Sequence, residues 1–273
     1  MEKASPRVIS ITSGKGGVGK TNITANLAIA FARIGKKVLI LDGDLGLANI
    51  DIILGINSKY NISHVVNGEK ELSEIIAEGP EGIKLIPAGS GFMNLTNLTE
   101  GQKLNLLTEF ESLDDNFDIF LIDTGAGISP NVIYFNIAAE ECLIIVTPEP
   151  TSITDAYALM KVMHNHHGAK YFKLLLNMVK NESEAKFVYV NLSQVVDRFL
   201  KGVLIEYVGF IPTDKMIQKS VIKRKTVIEL FPDAPSSQKF HLIAQELLKF
   251  PVRNDYDGNI KFFLNKFLNY SKS

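Results

Sequence analysis

The sequence predicts an α/β fold: a doubly wound, mostly parallel sheet with helices on both faces. Two observations predict it. Apolar runs of strand length alternate along the chain with apolar residues at helical spacing, and a glycine-rich loop stands between the first strand and the first helix. The chain has 273 residues, 46% of them hydrophobic, which suffices for a full core. No Pro/Gly/Ser-rich linker divides it, so one domain is expected over residues 1–250, followed by a short tail over 251–273.

Taken in order, Val8–Ser13 reads as a buried strand and Asn22–Ala32 as a helix. Later strands are expected at Val38–Leu41, Lys84–Ile86, Ile119–Ile122, Leu143–Val146, Lys173–Leu176 and Val208–Ile211. Open parallel sheets bind ligands beyond the carboxyl ends of their strands, so the residues that follow each run are the candidates for function.

After the first strand comes Gly14-Lys15-Gly16-Gly17-Val18-Gly19-Lys20-Thr21, then Asn22. Strand, glycine loop and helix is the setting that the phosphate-binding pattern GxxxxGK[ST] requires. Glycines let backbone N–H groups converge on phosphate oxygens, and the helix N-terminus adds partial positive charge. Lys20 is then expected at the β- and γ-phosphates and the Thr21 hydroxyl on Mg²⁺. A plain glycine turn before a core helix accounts for the glycines but for neither lysine nor threonine. Lys15 is a second lysine in a loop that needs one for its own nucleotide; its plain alternative is a solvated loop residue.

Two aspartates, Asp42 and Asp44, follow Val38–Leu41. Their spacing suits one near the phosphates and Mg²⁺ and the other orienting water, against the alternative of capping a following helix. Asp123 ends the apolar run Ile119–Ile122, where a carboxylate beside a phosphate loop holds Mg²⁺ through its water shell. Gly125 and Gly127 supply a segment able to respond to a γ-phosphate. Asn177 after Leu176 offers both donor and acceptor to a purine edge, with a turn asparagine as the alternative. Pro212 and Asp214 follow the last strand.

Composition narrows the function classes. A net charge of −1 argues against whole-protein attraction to nucleic acid, and DNA is not an expected partner. The basic cluster Lys219, Lys223, Arg224 and Lys225 reads as a solvated face. The single cysteine, Cys142, sits in an apolar run and reads as an inert buried thiol. His164, His166 and His167 read as favourable charge at a helix C-terminus rather than as a metal site. No signal peptide and no bilayer-spanning run is found, so a cytoplasmic protein is expected. In the tail, Ile260, Phe263, Leu264, Phe267, Leu268 and Tyr270 share one helical face, opposite Lys261, Asn265, Lys266, Asn269 and Lys272. Residues 258–273 are therefore expected to dock reversibly on an anionic membrane, with packing on the core or a partner as the alternative.

The KGGVGKT form of the loop resembles the deviant Walker A motif of the MinD/ParA family of ATPases. That resemblance implies that Lys15 reaches the nucleotide of a second subunit in an ATP-dependent homodimer. It further implies that Asp44 positions or activates the attacking water, with Asp42 in support and Mg²⁺ near Thr21, Asp44 and Asp123. Asn177, Pro212 and Asp214 are implied to line the adenine pocket, and Glu149 to lie near the ribose. The longer segments Asp42–Gly55, Asp123–Ser129 and Thr147–Leu159 resemble the FlhG branch of the family, also called YlxH or FleN. Such proteins, by that resemblance, regulate the number and placement of bacterial flagella. They are slow ATPases that dimerise with ATP, dock on the inner face of the cell membrane, and act with the GTPase FlhF and flagellar switch proteins. Many carry an N-terminal DQAxxLR segment that stimulates FlhF; only Met1–Arg7 precedes the first strand here, which leaves activation by that route without its motif. Septum placement, chromosome partition, a metabolic kinase or ligase, and a nucleotide-gated scaffold or transcription-factor antagonist are the competing functions.

Overall fold

The computed structural model describes residues 6–44, 49–89, 98–111, 113, 117–139 and 141–250. Among the described residues eight strands form one sheet: β1 (Arg7–Ser13), β2 (Val38–Gly43), β3 (Ala77–Glu78), β4 (Lys84–Ile86), β5 (Ile119–Ala126), β6 (Glu141–Val146), β7 (Tyr171–Val179) and β8 (Leu204–Pro212). Their spatial order is β3-β4-β2-β5-β1-β6-β7-β8, parallel throughout except for the β3–β4 pair. All seven expected strands are present. The eighth, β3, is a two-residue antiparallel edge joined to β4 through a 3-10 turn at Pro80–Gly82, too short to carry a hydrophobic period.

The helices are α1 (Lys20–Arg33), α2 (Ile50–Leu54), α3 (Ile62–Val66), α4 (Leu72–Ile75), α5 (Glu100–Glu111), α6 (Pro130–Ala138), α7 (Pro150–His167), α8 (Glu182–Phe199), α9 (Lys215–Ile222), α10 (Val227–Leu230) and α11 (Pro235–Lys249). Strand residues alternate between the two faces of the sheet. Ile9, Ile11, Ile40, Leu121, Leu143 and Ile145 pack with α1, α2, α10 and α11 on one face. On the other, Leu39, Leu41, Phe120 and Ile122 pack with α3 to α6, while Ile144, Val146, Leu174 and Leu176 pack with α7 and α8. Helix α1 is buried from Ile23 to Phe31, enclosed by the sheet, α10 and α11. That enclosure is why its sequence is nearly continuously apolar rather than striped.

Parallel pairing places the carboxyl ends of β1, β2, β5, β7 and β8 at one end of the sheet. Asp123 and Asp42 lie inside their strands rather than at the tips, as register partners of each other; Ile11 is the partner of Asp123 on its other side. The residues of β5 beyond Asp123 stay paired because Gly43 and Ser13 continue the neighbouring strands. The histidines close α7 as expected, and His164 Nδ1 lies 2.9 Å from the Ala169 carbonyl. Among the described residues no helix is long and apolar enough to cross a membrane. The amphipathic tail over 258–273 lies outside the described residues.

Candidate functional site

The loop between β1 and α1 is shaped by two close approaches. A Cβ on Gly14 would stand 2.2 Å from the backbone carbonyl of Asp155 in α7, so only glycine lets the loop rest against that helix. Gly19 has φ +91°, the left-handed region, and a Cβ there would meet the Asn177 amide nitrogen at 2.6 Å. The loop is tied further by Ser13 Oγ, which donates to the Lys15 carbonyl at 2.7 Å, and by Asn177 Nδ2, which donates to the Val18 carbonyl at 2.7 Å. A Cβ on Gly16 or Gly17 would meet nothing within 4 Å, so that side of the loop is open.

Helix α1 starts at Lys20 with Gly19 as its N-cap and no side-chain cap. Its first N–H groups and its dipole therefore face the loop, the arrangement that binds anions. Beside it is a cavity of about 730 Å³ lined by Gly16, Gly17, Gly19, Lys20, Thr21 and Asn22 from the loop and helix, Gly43 and Asp44 after β2, and Gly125 and Ala126 at the end of β5. The Asn22 amide nitrogen is buried there without a hydrogen-bond partner.

Electrostatics divide the site. Lys20 is 8% exposed, and burial lowers its pKa against the opposing pull of Asp123 and Asp44. Asp123 is 1% exposed; burial raises its pKa to about 6, although its carboxylate accepts hydrogen bonds from Thr21 and, at 3.0 Å, from Thr24 Oγ1. Burial and the Asp123 charge also push Asp42 well above the ordinary carboxylate range. Two carboxylates, Asp123 and Asp44, thus act on one ammonium group, and Asp42 stands behind them. A helix N-terminus with an unpartnered amide donor suits phosphate oxygens, and the surplus of carboxylate charge beside the Thr21 hydroxyl suits a divalent cation. These residues fit a magnesium–nucleotide complex.

The expected residues fall into separate groups. Lys20, Thr21, Asn22 and Asp44 line the cavity, and Asp123 lies behind it on the Thr21 hydroxyl. Asp42 is buried and accepts the Asp44 backbone N–H at 3.1 Å, which makes it a support for Asp44. A Cβ on Gly125 would lie 3.7 Å from Asp44 Oδ1, so Asp44 faces the glycine segment after Asp123. Lys15 is not among the lining residues. Its ammonium group pairs with Glu149, the N-cap residue of α7, and donates to Thr151 Oγ1 at 2.9 Å. Asn177, Pro212 and Asp214 do not line the cavity either. The Asp214 carboxylate caps α9 through the Met216 N–H at 2.9 Å and accepts Ser236 Oγ at 2.7 Å. Its visible work is structural, a helix cap.

Cys142 is buried and its pKa is pushed up to about 12 by burial, in keeping with an inert thiol. Further cavity residues were not singled out by sequence reasoning: Asn49 and Ile53 around α2, Ser129, Asn131 and Val132 at the start of α6, and Val221 in α9. Ser129-Pro130 is a helix-start signal directly after the glycines, so the α6 group was within reach of the sequence.

Together, the uncapped glycine loop, Lys20, Thr21 and the buried Asp123 define a P-loop nucleotide-binding protein. Comparison with known proteins agrees: residues 6–176 match the family model described as AAA domain. The chain is 41% identical over 97% of its length, and 94% of the relative's, to "Antiactivator FleN" of Pseudomonas aeruginosa. It is 37% identical to "Flagellum site-determining protein YlxH" of Helicobacter pylori over 89% of this chain and 82% of that one. Among solved structures, the septum site-determining protein MinD of Pyrococcus horikoshii, complexed with Mg-ADP, superposes with a TM-score of 0.72 at 26% identity, covering 89% of this chain and 96% of that one. The chain belongs to the MinD/ParA family of P-loop ATPases, in its FlhG/FleN branch.

Proposed function

We propose that this chain is an ATP-driven switch that regulates the number and placement of flagella, dimerising with ATP and docking reversibly on the membrane. The observation that carries the switch is the divergence of the two loop lysines. Lys20 lines the cavity, whereas Lys15 is held outside its lining by Glu149 and Thr151. A lysine that does not serve its own cavity is available to the nucleotide of a second copy. The flagellar output is supported by the names of the Pseudomonas and Helicobacter relatives.

In this reading Lys20 and the N–H groups of Gly16 to Thr21 hold the β- and γ-phosphates. Thr21, Asp44 and Asp123 would hold Mg²⁺, which would supply charge neutralisation at the phosphate oxygens. Asp44, held by Asp42, orients the attacking water, and Gly125 to Gly127 respond to the γ-phosphate. Asn177, Pro212 and Asp214 are the adenine-side residues and Glu149 the ribose-side one. Hydrolysis is slow until a partner, FlhF or a flagellar switch protein, completes the site. Residues 258–273 provide the membrane contact, which two tails in a dimer strengthen by avidity.

Titration of ATP into the Lys20→Ala chain tests the site. Binding should fall below detection while the fold is retained; affinity within a fewfold of the native chain would contradict it.

A further inference from the structure

Helix α9 follows the carboxyl end of β8 and runs beside the nucleotide cavity, which its Val221 helps to line. Its outward face is not absorbed by that role. Lys215, Lys219 and Ile222 recur at helical spacing, and all three are exposed, Ile222 at 82%. The turn that follows adds Lys223, Arg224 and Lys225, each exposed. Among the described residues none of these five cations pairs with an acid through its side chain. The two acids of the stretch 213–230 are committed elsewhere: Asp214 caps α9, and Glu229 accepts the Thr226 N–H at 3.1 Å and its hydroxyl at 2.6 Å in the cap of α10. In a chain whose net charge is −1, five unopposed cations over residues 215–225 are a local feature.

The turn is held in place against its own preference. Arg224 has φ +53°, the left-handed region in which helices usually place glycine after their last turn. The Lys223 and Lys225 N–H groups both donate to the Ser220 carbonyl, at 3.0 and 3.1 Å, and the Arg224 N–H donates to the Val221 carbonyl at 2.9 Å. The Arg224 carbonyl abuts the end of α2, where a Cβ on Gly55 would stand 3.2 Å away. The turn is thus fixed against the core, and an arginine stands where glycine would fit with less strain. Val221, 41% exposed, and Ile222 form an apolar tip beside these fixed cations.

We propose that the outward face of α9 and the turn after it form a docking site for an acidic segment of a partner protein, with Ile222 as the apolar anchor. Charge complementarity selects the occupant: carboxylates of the segment answer the cations, and an apolar side chain covers Ile222. A nucleic-acid backbone would answer the cations but offers nothing to isoleucine. A bilayer is broader than this two-turn helix and would crowd the cavity mouth that Val221 lines; a segment one chain wide does not. The contact requires neither pairing of two copies nor hydrolysis, so it stands apart from the proposed switch. It places a partner directly beside the nucleotide cavity.

Fluorescence anisotropy of a labelled peptide of Glu-Glu-Leu repeats, titrated with the full chain at low salt and without nucleotide, reads this contact. A peptide of Gln-Gln-Leu repeats is the control. The native chain should bind the acidic peptide and not the neutral one, with an affinity that falls as salt rises. Lys219→Gln/Lys223→Gln should weaken binding about tenfold, since an exposed ion pair contributes at most about fivefold. Ile222→Ser should also cost about tenfold, through lost apolar burial. Melting temperature and ATP affinity confirm an intact core in each variant. Arg224→Gly separates contact from fold: it should keep or raise the melting temperature while peptide binding falls about threefold. A native chain that does not bind the acidic peptide, or variants that all match it, would overturn the inference. So would variants whose losses are confined to duplex DNA or to phosphatidylglycerol vesicles, which would assign the face to phosphate.

Discussion

At the scale of single residues, the site is under electrostatic tension, which a bound cation would relieve. Asp123 is sealed from water, with Thr21 and Thr24 donating to it, and burial still raises its pKa to about 6. In the unfolded chain the same group ionises near its ordinary value of 3.8. The folded, metal-free protein therefore binds the proton more tightly, and its stability falls as pH rises from about 4 through about 6. The full loss from this group is about 3 kcal/mol. Thermal melts in EDTA without nucleotide should show Asp123→Asn gaining stability relative to the native chain between pH 4 and pH 7. A stability difference constant over that range would mean that Asp123 is not held in this way. Mg²⁺ at pH 7 should erase most of the gain, since it favours the ionised aspartate and has no such hold on an amide.

At the scale of elements, the loop works because it is wedged between α1 and α7. Gly14 against Asp155 is the tightest point of that wedge. Gly14→Ala must push the loop off α7 and disturb the Lys15 contacts at Glu149 and Thr151. Nucleotide titration should show ATP affinity reduced at least tenfold, with a cost of about 1–3 kcal/mol in stability; native affinity would show that the wedge is not needed. The same scale shows what the sequence reveals. The seven longer strands and α1 were legible because buried parallel strands are continuous apolar runs, and because GKGGVGKT has few structural alternatives. Strand β3 and the four-residue helices α4 and α10 were not, since so few residues carry no period. Asp123 was read as a strand tip, but β5 runs on to Ala126 because its two neighbours pair with it there. The Lys15–Glu149 contact spans 134 residues, and the capping of α9 by Asp214 is reinforced by Ser236, 22 residues away. Tertiary partners of that kind leave no local signal.

At the scale of the whole molecule, the parallel sheet gathers its chemistry at one end. Its carboxyl end holds the cavity, with Lys15 beside it and outside its lining. In the proposed switch, nucleotide state governs the association of two copies through that end. The central claim is that pairing. It is tested most directly by the mass of the Asp44→Ala chain saturated with ATP and Mg²⁺, measured by light scattering after size-exclusion chromatography. The account predicts a stable dimer, reduced to monomer by adding Lys15→Ala to the same chain. An Asp44→Ala protein that binds ATP and remains a monomer would contradict it.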